Sequence, residues 1–276
     1  MSLSLASCCD ISDDETKDDG IEMPLAVEVP AETVGSWYQP SVLTSWQWQL
    51  EGTLNTEYSV AVYDIDLFDT SIATIQQLQL DSHKVICYFS AGSYENWRDD
   101  EAQFNAADYG RTLDGWEGER WLDIRSVNVH RIMLTRLDLA VSKGCDGIEP
   151  DNMDGYSNAS GFTLTAEDQL AYNRHLANQA HLRGLSIGLK NDLDQIPELV
   201  AYYDFAVNEQ CFEYDECEAL ASFTDMGKAV FNTEYSATYV NDTTARNSLC
   251  VEAMNLQFSS LVMPLELDDS FRHACL

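Results

Sequence analysis

From Trp46 onward the chain alternates between two hydrophobic patterns. Short runs rich in β-branched and aromatic residues recur at Trp46–Leu50, Val60–Asp66, Val85–Ala91, Gly147–Glu149, Ser186–Lys190, Phe205–Glu209, Ala229–Glu234 and Leu256–Val262. Their length and content are those of strands. Longer amphipathic stretches lie between several of them. Ile72–Leu80 spaces Ile72, Ile75 and Leu78 along one helical face, and Val127–Ser142 repeats such a pattern for longer. Thr165–Leu182 opens on a hydroxyl followed by Glu167 and Asp168, and Gly184 marks its stop; a capping side chain, first-turn acids and a terminal glycine are helix boundaries. Asn241–Ala253 opens on Asn-Asp-Thr. Strand–helix alternation predicts parallel strands, because each crossover helix covers a sheet face. Eight such units predict an α/β fold that closes into a single (β/α)₈ TIM barrel over residues 36–276. An open doubly wound sheet is the alternative, but no Gly-rich phosphate loop follows the first strand. Residues 1–35 lack this periodicity. They are rich in Asp, Glu and small residues and read as a disordered or extended acidic tether.

Composition narrows the function. Lys and Arg number 15 against 47 Asp and Glu, a net charge of −32. Such a surface repels phosphate, so nucleic acid is excluded as a partner. It suits a polycation, although acidity also serves solubility alone. No run reaches the roughly 18 consecutive apolar residues of a membrane span. The opening MSLSLASC is no complete signal peptide, yet Leu5-Ala6-Ser7-Cys8 resembles the end of a lipoprotein signal, so a lipid anchor at Cys8 is an expectation. Eight cysteines form no CxxC zinc pairs. Disulfides at Cys211–Cys217 and Cys250–Cys275 would suit a secreted or cell-surface protein, whereas Cys87 and Cys145, in or beside strands, read as buried thiols.

The strand ends carry the chemistry. In a barrel of this type functional residues sit at the C-terminal ends of the strands. Here those ends read Tyr63-Asp64-Ile65-Asp66, Tyr88-Phe89-Ser90-Ala91-Gly92, Glu149-Pro150-Asp151-Asn152, Lys190-Asn191, Asn208-Glu209-Gln210 and Glu234-Tyr235. Unpaired charge at buried strand ends is costly, so its recurrence points to a site. Two carboxylates are the minimum for glycosidic cleavage. Asp151 and Glu209, on strands four and six, form the candidate pair, with Lys190 between them to keep a carboxylate ionised. A helix cap or an ion pair with Lys190 is the plain structural reading of either acid. All six tryptophans fall within residues 37–121. Flat rings suit sugar faces, and Trp97 or Trp116, in the long loop after strand three, is the expected subsite ring. One of Trp46 and Trp48 is expected to face the barrel interior. The five histidines form no HExxH pair and lie at no strand end, so no metal and no cofactor are expected.

The strings WQWQL (46–50), VYDIDLFD (62–69), VICYFSAGSYENWRDD (85–100), GWEGERWLDIR (115–125), GCDGIEPDNMDGY (144–156), GLKND (188–192), NEQCFEYDEC (208–217) and VFNTEY (230–235) resemble glycoside hydrolase family 114, the endo-α-1,4-polygalactosaminidases. The resemblance covers roughly residues 36–265. It implies cleavage within α-1,4-linked galactosamine chains, with the PDN aspartate, Asp151, as nucleophile and the NEQC glutamate, Glu209, as acid/base. A cationic amino-sugar polysaccharide would give the negative charge a purpose. Asp64, Asp66, Glu149 and Glu234 would then receive substrate ammonium groups, beside Tyr88, Asn152, Lys190 and Trp97 at the same mouth. A retaining mechanism requires the two carboxyls about 5–5.5 Å apart. The competing expectation is a surface carbohydrate-binding barrel without turnover. A metal-dependent hydrolase using the strand-end acids is a weaker third. The protein is expected to act as a monomer.

Overall fold

The computed structural model describes residues 24–276. The expected anchor residue Cys8 and most of the expected tether lie outside them. All eight expected barrel strands form, at Trp46–Gln49, Val62–Asp66, Lys84–Ser90, Gly147–Asp151, Ser186–Lys190, Phe205–Glu209, Ala229–Glu234 and Ser259–Val262. They pair in parallel, in chain order, within one curled sheet. A short ninth strand, His273–Ala274, runs antiparallel to the eighth. The seam between first and eighth strands is joined by other bonds. Trp46 Nε1 donates to the Ser259 carbonyl at 2.7 Å, Leu50 N to the Leu267 carbonyl at 3.1 Å, and Arg272 Nη2 to the Trp46 carbonyl at 2.8 Å.

The alternation of side chains along each strand sorts two cores. Inside the barrel pack Trp46, Trp48, Ile86, Phe205, Val207, Phe231 and Leu261. Trp46 and Trp48 are two positions apart and so share a face; both fill the interior, where only one was expected. Gly188 leaves room for the Phe205 ring, which would stand 2.2 Å from an added Cβ. Outside the strands, Ile65, Val85, Phe89, Ile132, Leu137, Leu176 and Leu189 belong to the core beneath the helices. Helices Val127–Lys143 and Ala166–His181 have the predicted boundaries. Gly144 ends the first with φ 87°, and Thr165 with Asp168 forms a reciprocal capping box on the second.

Two features depart from the sequence expectation. The long connection after the third strand folds into an antiparallel sheet of Ser93–Glu95, Tyr109–Thr112 and Glu119–Leu122. The buried Arg136 guanidinium ties that insertion to the barrel, donating to both carboxyl oxygens of Asp100 at 2.9 Å and to the Ser90 carbonyl at 2.6 Å. Cys87 and Cys145 are not thiols but a disulfide, with Cα atoms 6.1 Å apart. Cys87 faces outward on strand three. Cys145 follows the Gly144 cap that turns the chain into neighbouring strand four, so strand adjacency joins residues 58 positions apart. The expected Cys211–Cys217 and Cys250–Cys275 disulfides both form. Within the expected tether, residues 27–32 run extended along helix Ala166–His181. Arg174 Nη1 donates to the Val27 carbonyl at 2.6 Å and Asn178 Nδ2 to the Pro30 carbonyl at 3.0 Å.

Candidate active site

Strand parity decides which side chains reach the mouth. Tyr88, Glu149, Asp151, Lys190 and Glu209 fall on the inward parity of strands three to six, and Tyr235 follows strand seven on the same parity. The residues right after Asp151, Lys190 and Glu209 are Asn152, Asn191 and Gln210, with φ of 61°, 48° and 62°. Each left-handed residue turns the chain off the strand at once, leaving the preceding side chain at the rim. Asparagine adopts this conformation most readily among non-glycine residues, and Gln210 does so at a cost of order 1 kcal/mol. Gly92 lets strand three's end close on strand four's. Its N–H donates to the Asp151 carbonyl at 3.0 Å, and an added Cβ would stand 1.7 Å from the Asn152 carbonyl oxygen.

Lys190 stands at the centre. Its Nζ lies 3.1 Å from Asp151 Oδ1, 3.3 Å from Glu209 Oε2 and 3.3 Å from Glu149 Oε1, and 4.9 Å from the Trp48 ring centroid. Burial disfavours its ammonium, yet the charges of Asp151, Glu209 and Glu149 outweigh that and hold its pKa well above the ordinary lysine value. Two N···O contacts to one nitrogen bring Asp151 Oδ1 and Glu209 Oε2 within about 6.4 Å of each other, so both carboxyls face one point at the mouth. Tyr88 donates to Asp151 Oδ2 at 2.9 Å and the Asn152 N–H to Oδ1 at 2.7 Å. Tyr235 donates to Glu209 Oε1 at 2.6 Å and Asn191 Nδ2 to Oε2 at 3.3 Å. Burial, then the neighbouring acid, raises both phenols far above their usual range, so both stay donors.

Beneath this layer Asp64 and Glu149 face each other in full burial. Among the described residues no side-chain hydroxyl or amide donates to their carboxyl oxygens, and Lys190 Nζ, 3.3 Å from Glu149 Oε1, is the cation above them. Burial, ahead of every other influence, pushes Asp64 up to about 7, and burial with the Asp64 charge pushes Glu149 well above the carboxylate range. Their burial against each other therefore favours a proton between the two acids, which form the floor beneath Lys190. They are placed to support the lysine rather than to meet substrate, which corrects their expected role as ammonium receptors.

A cleft of about 560 Å³ opens over Asp151, Asn152, Lys190 and Glu209. Trp116, half exposed, Trp121 and Glu119 from the inserted sheet form one wall, and Leu265 and Leu267 lie on another. Of the two candidate ring residues Trp116 lines this cleft. Trp97 does not; its ring lies against Gly118 on the insertion. Two more expected ammonium receptors are engaged elsewhere. Asp66 is held by both terminal nitrogens of Arg98, at 3.1 and 2.7 Å, and also accepts the Phe68 and Asp69 N–H groups. Glu234 has outward parity on strand seven. It accepts the Phe212 N–H at 3.0 Å, and burial raises it to about 7. Glu119, Asp154, Tyr235 and Trp116 emerge as cleft or contact residues that strand-end reasoning passed over or left as an alternative. All but Tyr235 lie on loops or the insertion, and Tyr235 was visible as the residue after Glu234. Among the described residues no cluster of His, Cys, Asp and Glu is arranged to hold a metal ion.

A barrel of eight parallel strands, with carboxylates clamped to one lysine beside an aromatic wall, has the architecture of a glycoside hydrolase. The chain belongs to glycoside-hydrolase family GH114, whose model matches residues 27–276. The crystal structure of Ega3 from Aspergillus fumigatus, in complex with galactosamine, is similar at 44% identity and a TM-score of 0.83, over 89% of this chain and 99% of that one. The glycoside hydrolase domain of PelA from Pseudomonas aeruginosa shares the fold, with 13% identity and a TM-score of 0.65, over 81% of this chain and 96% of that one. A search of curated proteins finds no match. No helix among the described residues is long and apolar enough to cross a membrane.

Proposed function

We propose that this protein cuts α-1,4-linked galactosamine polymers internally, with retention, using Asp151 as nucleophile and Glu209 as acid/base. The observation that carries the reading is the shared clamp. One ammonium holds two rim carboxyls, from strands four and six, facing the same point, with one oxygen of each within about 6.4 Å of the other, an arrangement that supports a paired-carboxylate cleavage. Asp151 forms a bond to the anomeric carbon as the glycosidic bond breaks, and Glu209 gives its proton to the departing oxygen. Water then attacks the glycosyl-enzyme ester, Glu209 takes the water's proton, and Asp151 leaves as carboxylate. Tyr88 and Lys190 orient Asp151 and stabilise its returning charge, and Tyr235 and Asn191 orient Glu209. Trp116 offers a flat face to a sugar ring. The similarity to a protein crystallised with galactosamine supports the substrate class, as does the −32 charge. Three disulfides support a secreted or cell-surface location.

The test is product analysis on galactosamine oligomers and polymer. Wild-type protein is expected to release new reducing ends of α configuration from internal positions. Asp151→Asn and Glu209→Gln should each lower the rate by a factor of about 10²–10⁴ or more while the protein still folds. Full activity in both amide variants would remove the assignment. Binding of polymer with no new reducing ends would make the protein a binding module instead.

A further inference from the structure

The carboxylates at the mouth divide into two sets. Four on barrel strands are matched by cations, Lys190 serving Asp151, Glu209 and Glu149 and Arg98 serving Asp66, while Asp64 and Glu234 are buried away from the cleft lining. Glu119, on the inserted sheet, has no Lys, Arg or His nitrogen within 4.0 Å among the described residues. Its side chain lines the cleft although the residue is only 7% exposed. Oε2 accepts the Ser93 hydroxyl at 2.7 Å, while Oε1 makes no hydrogen bond. Ser93 Oγ in turn shares a hydrogen bond of 2.6 Å with Ser90 Oγ, which accepts from Asn152 Nδ2 at 2.9 Å. Asn152 follows Asp151, so this chain of bonds holds Glu119 at a fixed offset from the proposed nucleophile.

We propose that Glu119 determines specificity for a free amine, its Oε1 accepting from the 2-ammonium group of the sugar bound beside Asp151. This rests on the proposed function and names the residue that reads the substrate's charge. A buried carboxylate with an open oxygen and no cation is costly unless the ligand brings the cation. Burial pushes Glu119 up to about 7, the Ser93 bond opposes this, and the Glu95 and Asp151 charges add to it. An incoming ammonium relieves both the desolvation and the repulsion. An N-acetyl group is neutral and bulkier, offers one amide N–H, and leaves the acid uncompensated.

The experiment compares wild-type protein with Glu119→Gln on fully deacetylated and on N-acetylated α-1,4-galactosamine oligomers. Where the acetylated chain is not cut, the ratio is read from inhibition by galactosamine and by N-acetylgalactosamine. Glu119→Gln should lose about 10–100-fold in kcat/KM on the free-amine chain, mostly through KM, as expected for one charged hydrogen bond. Its change on the acetylated ligand should stay within about twofold. Glu119→Asp keeps the charge on a shorter arm, should recover part of the preference, and serves as the test if the amide variant misfolds. Equal losses on both ligands, or no loss on either, would overturn the assignment. A wild type that cuts the polymer while Glu119→Gln keeps the same ratio removes this inference alone. A wild type that cuts neither removes the proposed function as well.

Discussion

Replacing Lys190 by Met tests whether the acid cluster is held by that one ammonium. The substitution keeps an unbranched apolar side chain and removes the ammonium, which lies 4.9 Å from the Trp48 ring centroid. Asp151 and Glu209, each within 3.3 Å of Nζ, then lose their counterion, and the Asp64–Glu149 floor loses the charge above it. Breaking a buried pair from one side costs about 3–5 kcal/mol. For a chain of this length that is a fall in Tm of roughly 6–10 °C. The sign of the pH dependence is set by proton uptake. Without the ammonium the folded protein keeps protons that the unfolded chain releases, so its stability drops as pH rises. The deficit against wild type should therefore be small at pH 5 and widest at pH 8, as read by calorimetry across that range. Activity should show the same loss: the acid limb of kcat/KM against pH should move upward by about 1–3 pH units. A variant that melts with wild type at pH 8 and keeps its pH profile would refute the clamp.

Other perturbations probe the frame. Gly92→Ala should cost about 3 kcal/mol or more, because its Cβ would meet the Asn152 carbonyl oxygen at 1.7 Å, and should lower kcat by displacing Asp151; unaltered turnover would count against that contact. Replacing Cys87 and Cys145 together by Ser opens a loop of 58 residues, an expected loss of about 4 kcal/mol measured by denaturant titration, and a loss under 1 kcal/mol would argue against the bond. Wild-type stability should itself decline between pH 5 and 8. Burial raises Asp64, Glu119 and Glu234 to about 7 and Asp192 to about 8. Such acids favour the folded state fully below their unfolded values and lose that contribution as pH climbs through the folded ones. A Tm that rises over this interval would contradict them.

The barrel could be read from the chain because its strands are buried on both faces and so appear as apolar runs, while its long helices show periodicity and a cap such as Thr165. The same logic located Asp151, Lys190 and Glu209, since a charge ending an apolar run is conspicuous. It overreached at Glu234, where a one-residue difference in parity turns the side chain outward. Asp66 has the right parity, but only the fold shows that Arg98, 32 positions later, has taken it. The inserted sheet was invisible because its strands span three or four residues and Tyr109–Thr112 has no buried position. A half-exposed hairpin without alternation looks like a loop.

That blind spot bears on where specificity resides. The strand ends are rigid and mutually bonded, and their charges close on themselves: Lys190 with three acids, Arg98 with Asp66 and Glu95. A site so balanced can break a bond but has little charge left to choose between an amine and an amide. Of the acids that line the cleft, those that burial raises and no cation partners come from outside the barrel strands, Glu119 on the insertion and Asp154 on the loop after strand four. Both border the cleft, and burial raises both. Loops vary at less cost than strand ends. The geometry therefore separates the clamped carboxyl pair, built into the strands, from the proposed choice of sugar substituent, carried by segments that can change without disturbing it.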